Sequence, residues 1–159
     1  MENTTIKYID GGICAAKGFR AGGVRCGIRK NRSKYDLAMI ASDKNCAAAA
    51  VYTTNKVKGA PIEVTRANIA DGYAKAVICN SGNANTCNAN GIEIAEQMCD
   101  LTAQALGVKA EDVVVASTGV IGQPMDLAPI AAGIPPLAAA LNENGSADAA
   151  DKRFNYCFT

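Results

Sequence analysis

Val113-Val114-Val115-Ala116 is a continuous apolar run that gives way at once to Ser117-Thr118-Gly119. Three consecutive valines predict a strand buried on both faces. Where the run breaks into Ser, Thr and Gly, side chains stop filling a core, and main-chain amides and hydroxyls become available. Glycine also lets the main chain approach another group closely. A buried strand ending this way can aim donors at a developing negative charge. Taken by themselves, the same residues read first as a plain strand-to-loop turn in which Gly takes an awkward dihedral. Any fold for this chain must bury that strand and decide what its end faces.

The rest of the sequence narrows the setting. A chain of 159 residues suits one domain and is long enough to bury a core. Aromatics make up 5% and Trp is absent, so that core must come from Ala, Val, Ile and Leu. Sixteen basic residues stand against fifteen acidic ones, a balance that argues against a nucleic-acid partner. No apolar run reaches membrane-spanning length, and no charged-then-apolar leader opens the chain. The expectation is a soluble, cytoplasmic protein with neither a membrane nor a nucleic acid as partner.

The seven cysteines include no C-x-x-C pair, and there is no His to complete a zinc site. They read as small buried hydrophobes in a reducing compartment, and no metal is expected. The missing His also removes any His-dependent general base from these residues.

Taken in order, the chain predicts a short strand around Ile6-Tyr8 and a glycine turn at Gly11-Gly12. A half-buried strand is expected through Val24, Cys26 and Ile28, another over residues 35–42, and a third over residues 46–54. The first two read as an antiparallel pair. The segment GFRAGGVRCGIRK is glycine-rich and basic but lacks the G-x-x-x-x-G-K-[ST] pattern, so no phosphate-cradling loop is read there. Pro61 opens a helix that Gly72 ends. Residues 75–80 form an apolar strand leading into NSGNANTCNANG, which holds five Asn, more than a turn needs. Asn90 caps the next helix, with Glu93 completing a capping box, and Gly107 closes it. Glu111 and Asp112 read as a solvated turn. Residues 126–132 and 135–141 read as two helical pieces split by Gly133-Ile134, followed by a polar loop over 142–148. The last eight residues, KRFNYCFT, follow no periodic pattern.

GFRAGGVRCGIRK, YDLAMIA, AAAAVYTTNKVKGAPI, ICNSGNAN and VVVASTGVIG, in this order and spacing, resemble the N-terminal part of the ornithine acetyltransferase family, the bifunctional glutamate N-acetyltransferases of arginine biosynthesis. The resemblance covers roughly residues 10–150. It implies a mixed α/β (α+β-like) fold of the DmpA/ArgJ type, with largely antiparallel sheets layered with helices. It implies a precursor that cuts itself into alpha and beta chains, assembled as alpha2-beta2. The new N-terminal Thr of the beta chain is then the nucleophile, moving an acetyl group from N2-acetylornithine to glutamate. Its own alpha-amino group can act as base, which suits a chain without His. No cofactor is implied, though acetyl-CoA is a possible substrate.

By the same resemblance Thr118 and Gly119 match the oxyanion pair of the STG motif. Asn80, Ser81, Gly82, Asn83 and Asn85 match a segment that shapes the site. After Asp151, however, KRFNYCFT matches nothing of the self-cleavage junction. Residues 1–151 therefore read as one alpha-chain domain with a divergent tail at 152–159, as a truncation, frameshift or split gene would give. Two alternatives accompany this reading: a non-catalytic remnant, and the alpha subunit of a related self-cleaving aminopeptidase.

Overall fold

A computed structural model describes residues 6–30 and 34–150. Its framework is one sheet in the order β1-β2-β3-β4, formed by β1 (Phe19–Val24), β2 (Leu37–Ala47), β3 (Tyr73–Asn83) and β4 (Val113–Val120). The first three strands pair antiparallel, and β4 joins β3 in parallel. The sheet is thus largely antiparallel, with one parallel pair at an edge. That pair needs a crossover, which the helix α2 (Gly91–Leu106) supplies between β3 and β4.

Side-chain alternation sorts the core onto two faces. Leu37, Met39, Ile78, Val113 and Val115 lie on the face covered by α1 (Ala60–Asn68), α2 and α3 (Ala128–Ala140). From α2, Ile94, Ala95, Met98 and Cys99 reach this core, and Ile130, Ile134 and Leu137 reach it from α3. The opposite face carries a smaller cluster of Ala21, Ala38, Cys79 and Ala149, with Ala116 packed against it. There the short α4 (Ser146–Ala149) and a 3-10 turn at Gly12–Ala15 cover the β1 side of the sheet.

The valine run therefore differs from its expectation. Val113 and Val115 are buried, whereas Val114 on the other face is only half-buried, and β4 is an edge strand. Its free edge is satisfied by side chains of α1. The Thr65 hydroxyl donates to the Val115 carbonyl (2.8 Å) and accepts from the Val115 amide (3.1 Å). Asn68 Nδ2 donates to the Val113 carbonyl at 2.8 Å. The helix stands in for a fifth strand, so the run is protected at its edge rather than on both faces.

Other expectations shift as well. Residues 6–9 form no strand. The first strand ends at Val24, so Cys26 and Ile28 lie beyond it. No third strand spans residues 46–54. Cys46 and Ala47 instead end β2 after a bulge that begins at Ala41, and residues 48–55 hold no regular element. Asn90 takes the cap position of α2 without a side-chain cap bond, so the capping box is not formed. Glu93 instead accepts from Gln97 one turn along, at 3.4 Å.

The two expected helical pieces after residue 126 are one helix, running through Pro135 and Pro136. Gly133 does not split it. A Cβ there would lie 2.5 Å from Cys26 Cβ, so Gly133 is where α3 presses closest to the loop after β1. The polar loop expected over 142–148 contains the turn of helix α4. The helix from Pro61, the Gly72 stop, the Gly107 cap and the turn at Glu111 and Asp112 stand as expected. The tail at 152–159 lies outside the described residues. No helix of the described residues is long and apolar enough to cross a membrane.

Candidate active site

The parallel register of β3 and β4 brings the two polar motifs side by side. Asn80 pairs with Ser117, Ser81 with Thr118, Gly82 with Gly119 and Asn83 with Val120. In sequence they are 37 positions apart; in the sheet NSGN and STGV are neighbours, residue for residue. Both strands change from apolar to polar at the same level. The sheet thus ends in a two-stranded polar rim.

Glycine is required twice on that rim. Gly82 and Gly119 have φ of 125° and 134°, a region that side chains rarely occupy. A Cβ on Gly119 would run into the main chain of Gly82 and Asn83. A Cβ on Gly82 would lie 3.0 Å from both Arg29 Cγ and Ile28 Cγ2. The paired glycines let the two strand ends and the loop after β1 close on one another.

Edge geometry sets what the rim offers. The Val115 amide and carbonyl both face α1 at the free edge. Main-chain groups alternate along a strand, so Ser117 and Gly119 turn theirs to the same edge. Thr65 is the last α1 side chain bonded there; Pro61 and Ile62, one turn earlier, flank a pocket of about 340 Å³ with Tyr52, Val114, Ala116 and Ser117. Tyr52 is held over α1 by the Arg66 guanidinium, 4.9 Å from its ring centre. Gly119 is exposed and Thr118 half-buried, with Thr118 on the face it shares with its register partner Ser81.

The Asn-rich segment is a scaffold for these strand ends. Asn80 Nδ2 donates to the Asn83 carbonyl (2.9 Å), and Asn83 Nδ2 to the Gln123 carbonyl (3.0 Å), tying down the chain after β4. Asn83 Oδ1 accepts from the Asn85 amide at 2.8 Å. Asn85, at φ 48°, holds two helix starts: its carbonyl accepts from Ala60, and its Nδ2 donates to the Gly91 carbonyl. The Ala84 amide donates to Val120, and the Gly122 amide to Thr86. Thus Asn80, Ser81, Gly82, Asn83 and Asn85 all lie on or under the rim that carries Thr118 and Gly119.

Three buried atoms of the rim have no hydrogen-bond partner among the described residues: Asn80 Oδ1, Ser81 Oγ and Ser117 Oγ. Each such group costs about 1–3 kcal/mol. A rim kept polar at that cost is unlike an ordinary turn. Sequence reasoning missed the residues that frame it. Thr65 and Asn68 look like ordinary helix residues, and only the edge position of β4 gives them their bonds.

Asp36 was missed too. It is fully buried, and its carboxylate accepts amides from Cys26 (2.7 Å), Gly27 and Arg29 (3.0 Å each), while its carbonyl accepts from Ser81. It fixes the loop after β1 against the rim. Burial and that carboxylate push the Cys26 thiol up to about 12, and burial does the same to Cys99, so neither is a ready nucleophile.

A family model for the ArgJ family matches residues 20–153. An arginine biosynthesis bifunctional protein ArgJ from Symbiobacterium thermophilum is 47% identical over 148 residues, which are 92% of this chain and 37% of that protein. Its counterpart from Gloeobacter violaceus is 46% identical over 91% of this chain and 36% of its own length. The chain therefore spans little more than a third of these curated relatives. Among solved structures, ornithine acetyltransferase from Mycobacterium tuberculosis, determined in complex with ornithine, superposes with a TM-score of 0.84 at 34% identity, covering 88% of this chain and 77% of that one. The arginine biosynthesis bifunctional protein ArgJ of Bacillus halodurans gives 0.79 at 36% identity, covering 87% and 74%. The ordered motifs, the mixed α/β sheet and the matched model agree: this chain belongs to the ArgJ family.

Proposed function

We propose that this chain supplies the oxyanion-stabilising half of an acetyltransferase site in arginine biosynthesis. The observation that carries the proposal is the register of NSGN against STGV. It aligns Thr118 and Gly119 with Ser81 and Gly82 at the paired strand ends, on a rim tied by the Asn scaffold, and in this reading the Gly119 amide and the Thr118 hydroxyl are the donors. Donors fixed before the reaction stabilise a developing oxyanion without reorganising during it.

In this reading the nucleophile belongs to the part of the family's length that these residues do not span. The hydroxyl of a beta-chain N-terminal Thr attacks the acetyl carbonyl of N2-acetylornithine. Its alpha-amine takes the hydroxyl proton, and the carbonyl oxygen becomes an oxyanion held by Thr118 and Gly119. Collapse breaks the C–N bond, and ornithine leaves as the amine with the proton returned to it. The glutamate amine then attacks the acyl-Thr ester through the same oxyanion site, releasing the Thr hydroxyl and N-acetylglutamate. Acetyl-CoA could load the same Thr, with the thiol as leaving group. No cofactor takes part. The partners are the beta chain, in an alpha2-beta2 assembly, and the two small substrates, in the cytoplasm.

Complementation tests the proposal. This chain alone should show no transfer from N2-acetylornithine to glutamate, because an oxyanion site without a nucleophile gives only residual help. Co-expressed with a beta chain from a relative, it should recover turnover. Turnover of roughly 1 per second or more by this chain alone would contradict the division of labour.

A further inference from the structure

Ser81 stands apart on the polar rim. It is 0% exposed, yet its hydroxyl has no hydrogen-bond partner among the described residues. The side chains of Asn80, Asn83 and Asn85, by contrast, each donate to main chain. Ser117 Oγ is also unpartnered, but side chains alternate along a strand, so it lies with Asn80 on the helix-covered face of the sheet. Ser81 lies on the open face, beside its register partner Thr118. Its main chain is fixed from both sides. The Ser81 amide donates to the Asp36 carbonyl at 2.9 Å, and β4 pairs with the strand on the other side. A buried hydroxyl without a partner is a net cost to the folded chain, so this one does not serve to hold the fold.

We propose that Ser81 is a positioning residue whose hydroxyl donates to Thr118 Oγ1 when the Thr118 hydroxyl donates to an oxyanion. The inference rests on the oxyanion reading. Neighbouring strands lie about 4.8 Å apart. Hydroxyls on two facing Cβ atoms at that spacing reach hydrogen-bond distance by rotation about χ1. Burial is graded to match: Thr118 is half-buried and open to a substrate, while Ser81 behind it is sealed from water. A hydroxyl has one proton to donate and two lone pairs to accept with. Thr118 can therefore accept from Ser81 while its own proton points at the oxyanion. Hydrogen bonds in series polarise one another, so a hydroxyl that accepts becomes the stronger donor. That strengthening grows as charge develops, which is where it lowers the barrier. The Ser81 proton stays on Ser81 throughout.

The test joins the stability of this chain to the kinetics of the complemented enzyme. In the chain alone, Ser81→Ala should melt at or above the parent temperature, because it removes an unmet hydroxyl. Asn80→Ala, which loses the bond to the Asn83 carbonyl, should melt lower and shows that the assay detects a rim contact. In the complemented enzyme, with N2-acetylornithine and glutamate as substrates, Ser81→Ala should lower kcat about three- to tenfold with KM unchanged, the size of one neutral hydrogen bond. Added to Thr118→Ala it should cost less than about twofold more, because its effect passes through the missing hydroxyl. A melting temperature clearly below the parent would overturn the proposal and make Ser81 a structural hydroxyl. So would a normal kcat in Ser81→Ala, a loss confined to KM, or the full loss repeated on Thr118→Ala. The two readings fail separately. The expected loss in Thr118→Ala with a normal kcat in Ser81→Ala removes only the role of Ser81. A normal kcat in Thr118→Ala, or no turnover by the complemented parent chain, removes the oxyanion reading and this one with it.

Discussion

At the scale of single residues, the groups that matter most are those whose surroundings forbid replacement. Gly119 is fixed by contact with the Gly82 and Asn83 main chain, and Asp36 by three amides that nothing else would satisfy. Cys99 gives a measurable case. Burial raises its thiol from 9.0 to about 12, so between those values the folded chain keeps a proton that the unfolded chain releases. The unfolded state then binds fewer protons, and stability falls as pH rises through that window. Below pH 9 the contribution is fully present. Cys26 is raised in the same way, so urea unfolding at pH 8 and pH 10 should show a loss that is smaller by about 1 kcal/mol in Cys99→Val and remains in part through Cys26. An identical pH response in the variant would assign the loss to other groups. In thiol labelling at pH 8, exposed Cys87 should react well before Cys99.

Among the elements, β4 and α1 form the joint on which the rim depends. Thr65→Val keeps the shape but removes both bonds to Val115, leaving a buried amide and carbonyl unpaired. The expected cost is about 1–3 kcal/mol in chemical denaturation, largely recovered by Thr65→Ser. Equal losses in Val and Ser would mean that packing, not hydrogen bonding, holds the edge. This joint also marks how far the sequence could be read. The order of elements was legible because Pro61, Gly72 and Gly107 punctuate the chain and apolar periodicity fills the gaps. The NSGN and STGV motifs stood out by composition. Their residue-for-residue alignment did not, because it depends on a parallel pairing across a crossover. Strand ends were misjudged where alternation continued past the last ladder bond, as at Cys26 and Ile28. Gly133 reads locally as a break because its contact partner, Cys26, is distant in sequence. Edge position, which explains Thr65 and Asn68, is a tertiary fact that leaves no local trace.

For the molecule as a whole, the sheet is covered unevenly. The α1–α2–α3 face is closed, whereas Ile40, Val77, Val114 and Ala116 on the other face are only half-buried. Ile13, Ala38 and Cys79 join Ile40 and Val77 around an apolar pocket of about 300 Å³ on that face. Such a surface favours association. In analytical ultracentrifugation the chain alone should self-associate and bind a hydrophobic dye, and a beta-chain partner should suppress both. A dye-free monomer at every concentration would contradict this. The central claim is that two motifs, set in register by one parallel strand pair, build an oxyanion site at Thr118 and Gly119. Kinetics and melting temperature of Thr118→Ala in the complemented enzyme test it most directly. The expected result is a kcat about a hundred- to a thousandfold lower, with KM and melting temperature little changed. A near-normal kcat alongside a clear drop in melting temperature would contradict it and leave the rim a structural turn.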